Sequence, residues 1–219
     1  MSSASSREQR IAAAACRLGL TLPEQGVARL ARYVDLLQRW NATYNLTAVR
    51  DPDDIVTQHV VDCLAAVAAL HRRFGPSGLR VLDVGSGGGL PGAVIAAVRD
   101  ADRVVCVDAV RKKAAFVQQV AVELSLRNLT AEHSRVEALR ADPFDVVTSR
   151  AFAALPDFVR LTASHLKEGG VWMAMKGKRP EQEIAALPES VEVFHVEQLE
   201  VPDLVAERCL VWMRPGAVQ

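Results

Sequence analysis

Residues 80–97, RVLDVGSGGGLPGAVIAA, set Gly85, Gly87, Gly88, Gly89 and Gly92 between two apolar runs. Glycine forfeits backbone entropy and packs nothing, so a cluster this dense is retained only where the chain bends sharply or lets something approach its backbone. The run before it reads as a short buried strand, Leu79–Val84, and the run after it as a helix, Leu90–Val98. A strand, a glycine turn and a helix N-terminus present free N–H groups and the positive end of a helix dipole to a polar or anionic ligand.

The same alternation continues down the chain. Arg103–Val107, residues 129–134, residues 144–149 and residues 169–176 read as strands, with helices at Arg111–Leu126 and Pro156–Leu166 between them. Strands separated by helices of this length imply a parallel sheet covered on both faces. The tail breaks the pattern: SVEVFHVEQLEV and ERCLVWMR have no helix between them and suit an antiparallel hairpin at one sheet edge. Upstream, apolar residues at Val27, Leu30, Ala31, Val34 and Leu37, then at Val56, Val60, Leu64, Val67 and Leu70, recur at helical spacing. The fold class is therefore α/β and Rossmann-like: a mostly parallel seven-stranded sheet with a C-terminal antiparallel hairpin and an N-terminal helical layer. Residues 1–71 form the helical extension and residues 72–219 the Rossmann-like domain.

Bulk properties exclude several classes. The longest apolar runs are too short to cross a bilayer, and MSSASSREQR lacks the order of a signal peptide, so no membrane partner and a cytoplasmic location are expected. Cys16, Cys63, Cys106 and Cys209 form no CxxC pair or Cys/His cluster, which predicts buried reduced thiols and no metal. Net charge is zero but unevenly spread: residues 1–50 hold seven Arg against three acids, and residues 181–219 hold eight acids against two Arg. A polyanionic partner remains compatible with a local basic face.

Two templates compete for the glycine loop. As G-x-G-x-x-G, Gly87, Gly89 and Gly92 match a dinucleotide fingerprint, with Asp108 as the ribose acid. As acid-x-G-x-G-x-G, Asp83, Gly85, Gly87 and Gly89 match the signature of S-adenosylmethionine-dependent methyltransferases. The second fits better, because it sets its first glycine directly after the strand and gives Asp83 a place near the cofactor's amino-acid end. The first would start its helix only after Pro91. Asp108 then addresses the ribose hydroxyls, or simply caps a turn. A nicotinamide-dependent oxidoreductase and a non-catalytic RNA-binding module stay as alternatives.

The acceptor chemistry is read at the end of the fourth strand. Thr148–Phe152, TSRAF, carries neither an Asn/Asp-Pro-Pro-aromatic motif nor a nucleophilic cysteine. Donors and a fixed charge suit an acceptor that is already nucleophilic and has no proton to lose, such as guanine N7, so that alignment suffices. Arg150 can address guanine, cofactor or phosphate, or be ion-paired to Asp145 or Asp157. Lys176, at the end of the fifth strand, falls on the same edge and is expected to touch substrate; Arg150 and Lys176 are thus the catalytic candidates.

At this point RWNATYNLTAVRDPDDIVTQHVVDCL, VLDVGSGGGLPGAVIA, RKKAAFVQQVAVEL, SRVEAL, FDVVTSRAFAAL and AMKGKRPEQEIAAL, in this order, resemble the bacterial ribosomal RNA small-subunit methyltransferase G family, also called glucose-inhibited division protein B. The resemblance spans roughly residues 28–214 and implies N7 methylation of one guanine in small-subunit (16S) ribosomal RNA by direct displacement from S-adenosylmethionine. It implies cofactor contacts at Gly85, Leu90, Val136, Glu137 and Arg150. The chain departs from the family pattern at VDAV, where Asp-Ser is usual, and at QHVVDCL, where Arg-His is usual; the second change weakens an RNA-binding role at His59.

A base inside folded RNA needs phosphate contacts and unstacking. Arg111-Lys112-Lys113, Lys176, Lys178, Arg179 and the N-terminal arginines supply positive charge for the RNA or the 30S particle. Trp40 and Tyr44 either stack on a base or tuck against the helices. The protein is expected to act as a monomer.

Overall fold

A computed structural model describes residues 3–76 and 78–216 of the chain. Five parallel strands, β1 (Arg80–Val84), β2 (Arg103–Asp108), β3 (Leu129–His133), β4 (Phe144–Arg150) and β5 (Leu166–Lys176), lie in the order β3-β2-β1-β4-β5. Beyond β5 run β7 (Cys209–Pro215), antiparallel to it, and then β6 (Val191–Gln198), antiparallel to β7. This is the expected mixed sheet with its C-terminal hairpin, the last strand lying inside the edge strand.

Strand periodicity sorts the side chains to two cores. Val81, Val104, Cys106, Val146 and Met173 face one side, against α2 (Glu24–Tyr44), α4 (Asp62–Phe74), α5 (Gly92–Val98) and α6 (Arg111–Glu123). Leu82, Val84, Val107, Val147 and Trp172 face the other, against α7 (Leu155–Thr162). Ile11 of α1 (Ser3–Arg17) joins the first core, so the N-terminal helices and the sheet bury one continuous apolar mass.

Several elements differ from the sequence-based expectation. The helix after the glycine loop starts at Gly92, with Pro91 just ahead of it, not at Leu90. Gly89 and Leu90 first turn back to donate to the Ser86 carbonyl, at 2.8 and 3.0 Å. A late helix start is therefore no argument against the dinucleotide template. The helix implied by the apolar spacing of Val56 to Leu70 is three pieces: α3 (Pro52–Ile55), a wide π-helical turn at Val56–Val61, and α4. Asp51 starts the first piece by accepting from the Asp53 and Asp54 backbone N–H groups at 2.8 and 3.2 Å. Helices α1 and α8 (Glu181–Ala185) are additional, and β5 begins at Leu166 because that residue already pairs with Phe144. All four thiols are free, but Cys16 is exposed, which corrects the expectation of four buried ones.

Candidate functional site: a cavity at the carboxyl ends of β1, β4 and β5

In the strand order, the chain turns from β1 toward β2 on one side while β4 leads away on the other. The connections after β1 and β4 diverge, and a crevice opens between them. A cavity of about 480 Å³ fills it, walled by the glycine loop, the π-helical turn, Arg150 and Lys176. A smaller cleft of about 140 Å³ adjoins it at the ends of β2 and β3, sharing Gly85.

The loop's glycines do separate jobs. Gly85, Gly87 and Gly89 have φ of 64°, 57° and 77°, a left-handed conformation that residues with a Cβ seldom adopt. Around Gly87 a Cβ would find only open space, its nearest neighbour being the Gly85 carbonyl at 3.9 Å, so its backbone is accessible. Gly92 is a packing residue: a Cβ there would overlap Cys106 Sγ and sit 2.9 Å from Asp83 Oδ2. Tyr33 of α2 pins the loop from behind, its hydroxyl donating to the Gly88 carbonyl at 2.6 Å. Tyr33→Phe leaves that carbonyl unpaired and is expected to cost about 1 kcal/mol, read by urea unfolding.

The sequence-predicted residues divide between the two hollows. Gly85, Gly87, Leu90, Arg150 and Lys176 line the large cavity, and Asp108, Val136 and Glu137 line the small cleft. Asp108 Oδ2 accepts from the Gly87 N–H at 2.9 Å and Oδ1 from the Val110 N–H at 2.8 Å, so it also fills the turn-capping role. Gly89 packs against Val117 and lines neither hollow. Nor does Asp83, which is fully buried beneath the loop, with Oδ2 accepting from the Gly92 N–H at 2.8 Å. Its link to a ligand would run through α5. Ser86, only 4% exposed, lines the cavity, while its hydroxyl is buried beside the Cys106 thiol and has no nitrogen or oxygen partner among the described residues. The open space around the Gly87 backbone lets a ligand approach the loop closely, which fits a cofactor with an amino-acid end.

Arg150 is the hub of the cavity wall opposite the glycine loop. One terminal nitrogen donates to the Gln58 carbonyl and to Asp62 Oδ2, both at 3.2 Å. Asp62 is thus its partner, in place of Asp145, which pairs with Lys167, or Asp157, which pairs with Arg160. Asp62 Oδ1 accepts a second guanidinium, Arg208 Nε, at 3.0 Å. After Arg150 the chain turns through Ala151 at φ 56°, a strained conformation for alanine. That turn sends Arg150 into the large cavity and Phe152 into the small cleft, flat against Gly85.

His59 also lines the cavity, which restores to the site a position discounted from its departure from the family pattern. Its Nδ1 lies 2.9 Å from the Gln58 carbonyl, which can only accept, so Nδ1 carries the proton. Its Nε2 then accepts from the Thr47 hydroxyl at 2.7 Å. Asn41 holds the Thr47 segment, accepting from the Thr47 N–H at 2.9 Å and donating to the Val49 carbonyl at 3.1 Å. Asp62, Thr47 and Arg208, which line the cavity, were missed by the sequence reading, and His59 was discounted by it. The available signal was an aspartate and a histidine within an otherwise apolar helical stripe.

Two buried groups titrate in opposition. Burial, then the Arg150 charge, holds His59 down at about 4, and burial pushes Asp83 up to about 7 against the pull of the Gly92 N–H. Between about pH 4 and 6.5 the unfolded chain protonates His59 and the folded one does not, so this group removes stability as pH falls. The folded chain keeps the Asp83 proton up to about pH 7, so Asp83 removes stability as pH rises from about 4 to 7. The two nearly cancel in the wild type. Asp83→Asn should therefore uncover a loss of up to about 3 kcal/mol on acidification from pH 6.5 to 4, and His59→Gln the opposite slope. Urea melts across that range check both signs.

Positive charge is more local than composition suggests. Arg7, Arg10, Arg17 and Arg29 are tied to Asp35, Asp53, Asp203 and Asp100. Lys178 and Arg179 are exposed and lie against Glu207 and Glu181. Lys176 donates to Glu183 Oε2 of α8 at 2.7 Å and to the Ala153 carbonyl at 3.1 Å. Lys113 reaches the cavity from α6. Trp40 tucks edge-on against Phe116, while Tyr44 beside it is 40% exposed. Among the described residues no helix is long and apolar enough to cross a membrane, and no three His, Cys, Asp or Glu side chains cluster as metal ligands.

Comparison with known proteins bears on this geometry. The chain is similar to a magnesium protoporphyrin IX methyltransferase from Synechocystis with bound S-adenosylmethionine, with TM-score 0.57 at 19% identity over 85% of this chain and 97% of that one. It also resembles an S-adenosylmethionine-dependent methyltransferase from Aquifex aeolicus, with TM-score 0.56 at 16% identity over 74% and 93% of the two chains. These likenesses show the fold alone. Sequence relatives are much nearer. A ribosomal RNA small subunit methyltransferase G of Leptothrix cholodnii is 55% identical over 94% of each chain. One from Paracidovorax citrulli is 57% identical over 90% of this chain and 86% of its own. The nicotinamide and non-catalytic alternatives find no support in these likenesses. With the family model for rRNA small subunit methyltransferase G matching residues 27–211, the chain belongs to that family.

Proposed function

We propose that this protein transfers a methyl group from S-adenosylmethionine to N7 of one guanine in small-subunit ribosomal RNA, acting in the cytoplasm as a monomer on the RNA or the 30S particle. The observation that carries this reading is the pairing, across one cavity, of an open glycine backbone with a guanidinium and no strong free base. Asp62 is committed to two guanidiniums, and His59, neutral with its proton on Nδ1, takes up a second proton only below about pH 4. An acceptor whose lone pair carries no proton suits such a cavity, because the protein then has only to align it.

When bound, S-adenosylmethionine supplies an electrophilic methyl on a sulfonium centre. Gly85, Gly87, Leu90 and Ser86 would hold its amino-acid end, Asp108 its ribose, and Val136 and Glu137 its adenine. Asp83 and Gly89 would keep the loop in shape from beneath. Arg150 and Lys176 would face the purine, Arg150 donating to O6 and leaving N7 free. Residues 1–71 would serve as an extension that builds the acceptor wall of the 72–219 domain through Thr47, His59 and Asp62, and that braces the glycine loop through Tyr33.

The test uses tritiated S-adenosylmethionine with 30S particles from a strain lacking the activity, followed by borohydride and aniline cleavage at 7-methylguanine. Label in the small-subunit RNA with cleavage at one guanine is expected. Label without cleavage would place the methyl on another atom and overturn the N7 assignment.

A further inference from the structure

The geometry points to Asp62 and Arg208 as positioning residues for methyl transfer: Arg208 clamps one oxygen of a shared carboxylate, whose other oxygen holds Arg150 by one edge and leaves its second edge for the purine. The inference rests on the RNA-methylation reading above.

Asp62 is 2% exposed although it stands at the cavity wall. Withdrawing a carboxylate this far from water is costly unless its partners are well placed, and hydrophobic packing of the same volume would usually serve stability as well. Its two oxygens are divided between guanidiniums from distant segments, Arg150 at the end of β4 and Arg208 just before β7. The division has a consequence for Arg150. The nitrogen that reaches Asp62 also serves the Gln58 carbonyl, so both of its protons are used. The other terminal nitrogen lies 3.4 Å from His59 Nδ1, which already bears a proton and cannot accept. That nitrogen and Nε remain as donors at the cavity, with no acceptor among the described residues.

Arg208 is what keeps this arrangement one-sided. With Oδ1 occupied, Asp62 offers Arg150 a single oxygen, and a two-pronged carboxylate pair that would absorb the second edge does not form. Arg208 is itself braced, its terminal nitrogen donating to the Glu207 carbonyl at 2.8 Å. Removing Arg208 frees Oδ1 to compete for Arg150 and draws the guanidinium toward the wall. Because misplacement by about an ångström can cost a hundredfold in rate, the effect should fall on turnover.

Steady-state kinetics with 30S particles, S-adenosylmethionine affinity by calorimetry, and thermal unfolding of the full chain separate the possibilities. For Arg208→Gln, kcat is expected to fall about tenfold or more, with RNA KM and cofactor Kd each within about threefold of wild type. Arg208→Lys, which still presents a cation to Oδ1, should recover most of the loss. Asp62→Asn should lower kcat further and is not rescued by Arg208→Lys. A raised RNA KM with unchanged kcat in Arg208→Gln would make Arg208 a phosphate contact and overturn the proposal. So would parallel losses of kcat, cofactor affinity and melting temperature in both Arg208 variants, the mark of a structural staple. Absence of methyl transfer by the wild type would instead remove the reading underneath.

Discussion

Gly92→Ala should destabilise the protein by about 3 kcal/mol or more, although it changes a single hydrogen to a methyl group. The added Cβ would overlap Cys106 Sγ, and it would lie 2.9 Å from Asp83 Oδ2 and 3.1 Å from Asp83 Cβ, atoms that are all fully buried. None is the free end of a flexible chain, so relief requires moving α5 off the sheet. That movement would also break the Gly92 N–H to Asp83 bond and leave a buried carboxyl with only the weak Cys106 thiol donor at 3.8 Å. A urea melt reads the effect as a fall in midpoint. An unchanged midpoint would mean that α5 is free to shift, and with it the first turn of the cofactor loop. Gly87→Ala is the matched comparison: the space around that position is open, and its cost should be confined to the left-handed backbone, about 1 kcal/mol.

Arg150→Ala is expected to reduce methyl transfer by at least about a hundredfold while the fold survives. The substitution removes the guanidinium that faces the cavity; it also strands Asp62 Oδ2 and leaves the Gln58 carbonyl with the His59 Nδ1–H donor. Arg150→Lys should recover little of the activity. A single ammonium can satisfy the wall or the purine, but it cannot present two edges as the planar guanidinium does. Tritium transfer to 30S particles measures the rate, and calorimetric titration of the cofactor shows whether the loss lies in the first substrate or the second. Retention of half the wild-type rate in Arg150→Ala would remove this residue from the reaction. The same substitution should release His59 from a neighbouring positive charge and raise its pKa above 4, which proton NMR of the imidazole follows directly.

Much of this molecule could be read before any coordinates. Alternation of apolar strands with amphipathic helices is a local signal, and every one of the seven strands appeared as such a run. The glycine loop, Asp108 and Arg150 were legible because each stands at a strand's carboxyl end, a position that one-dimensional spacing reports. Helix limits were less so: β5 extends back to Leu166 only because Phe144 lies beside it, and the wide turn at Val56–Val61 depends on how α3 and α4 seat on the core. The roles of the individual glycines were not legible either. Gly87 and Gly92 are identical letters five positions apart, yet one faces open space and the other the Asp83 and Cys106 side chains.

Local pattern was enough to specify the α/β architecture, the glycine loop at the cavity and the family, because hydrophobic period, turn chemistry and motif spacing are properties of neighbouring residues. The charged wall opposite the glycine loop was beyond that reach. Asp62, Arg150 and Arg208 meet only when a helix, a parallel strand and the antiparallel hairpin are brought together, and the partner of Arg150 lies 88 residues away from it in the chain. Electrostatic pairing acts through space and is blind to chain separation, so the choice of Asp62 over the nearer Asp145 and Asp157 could be made only by packing.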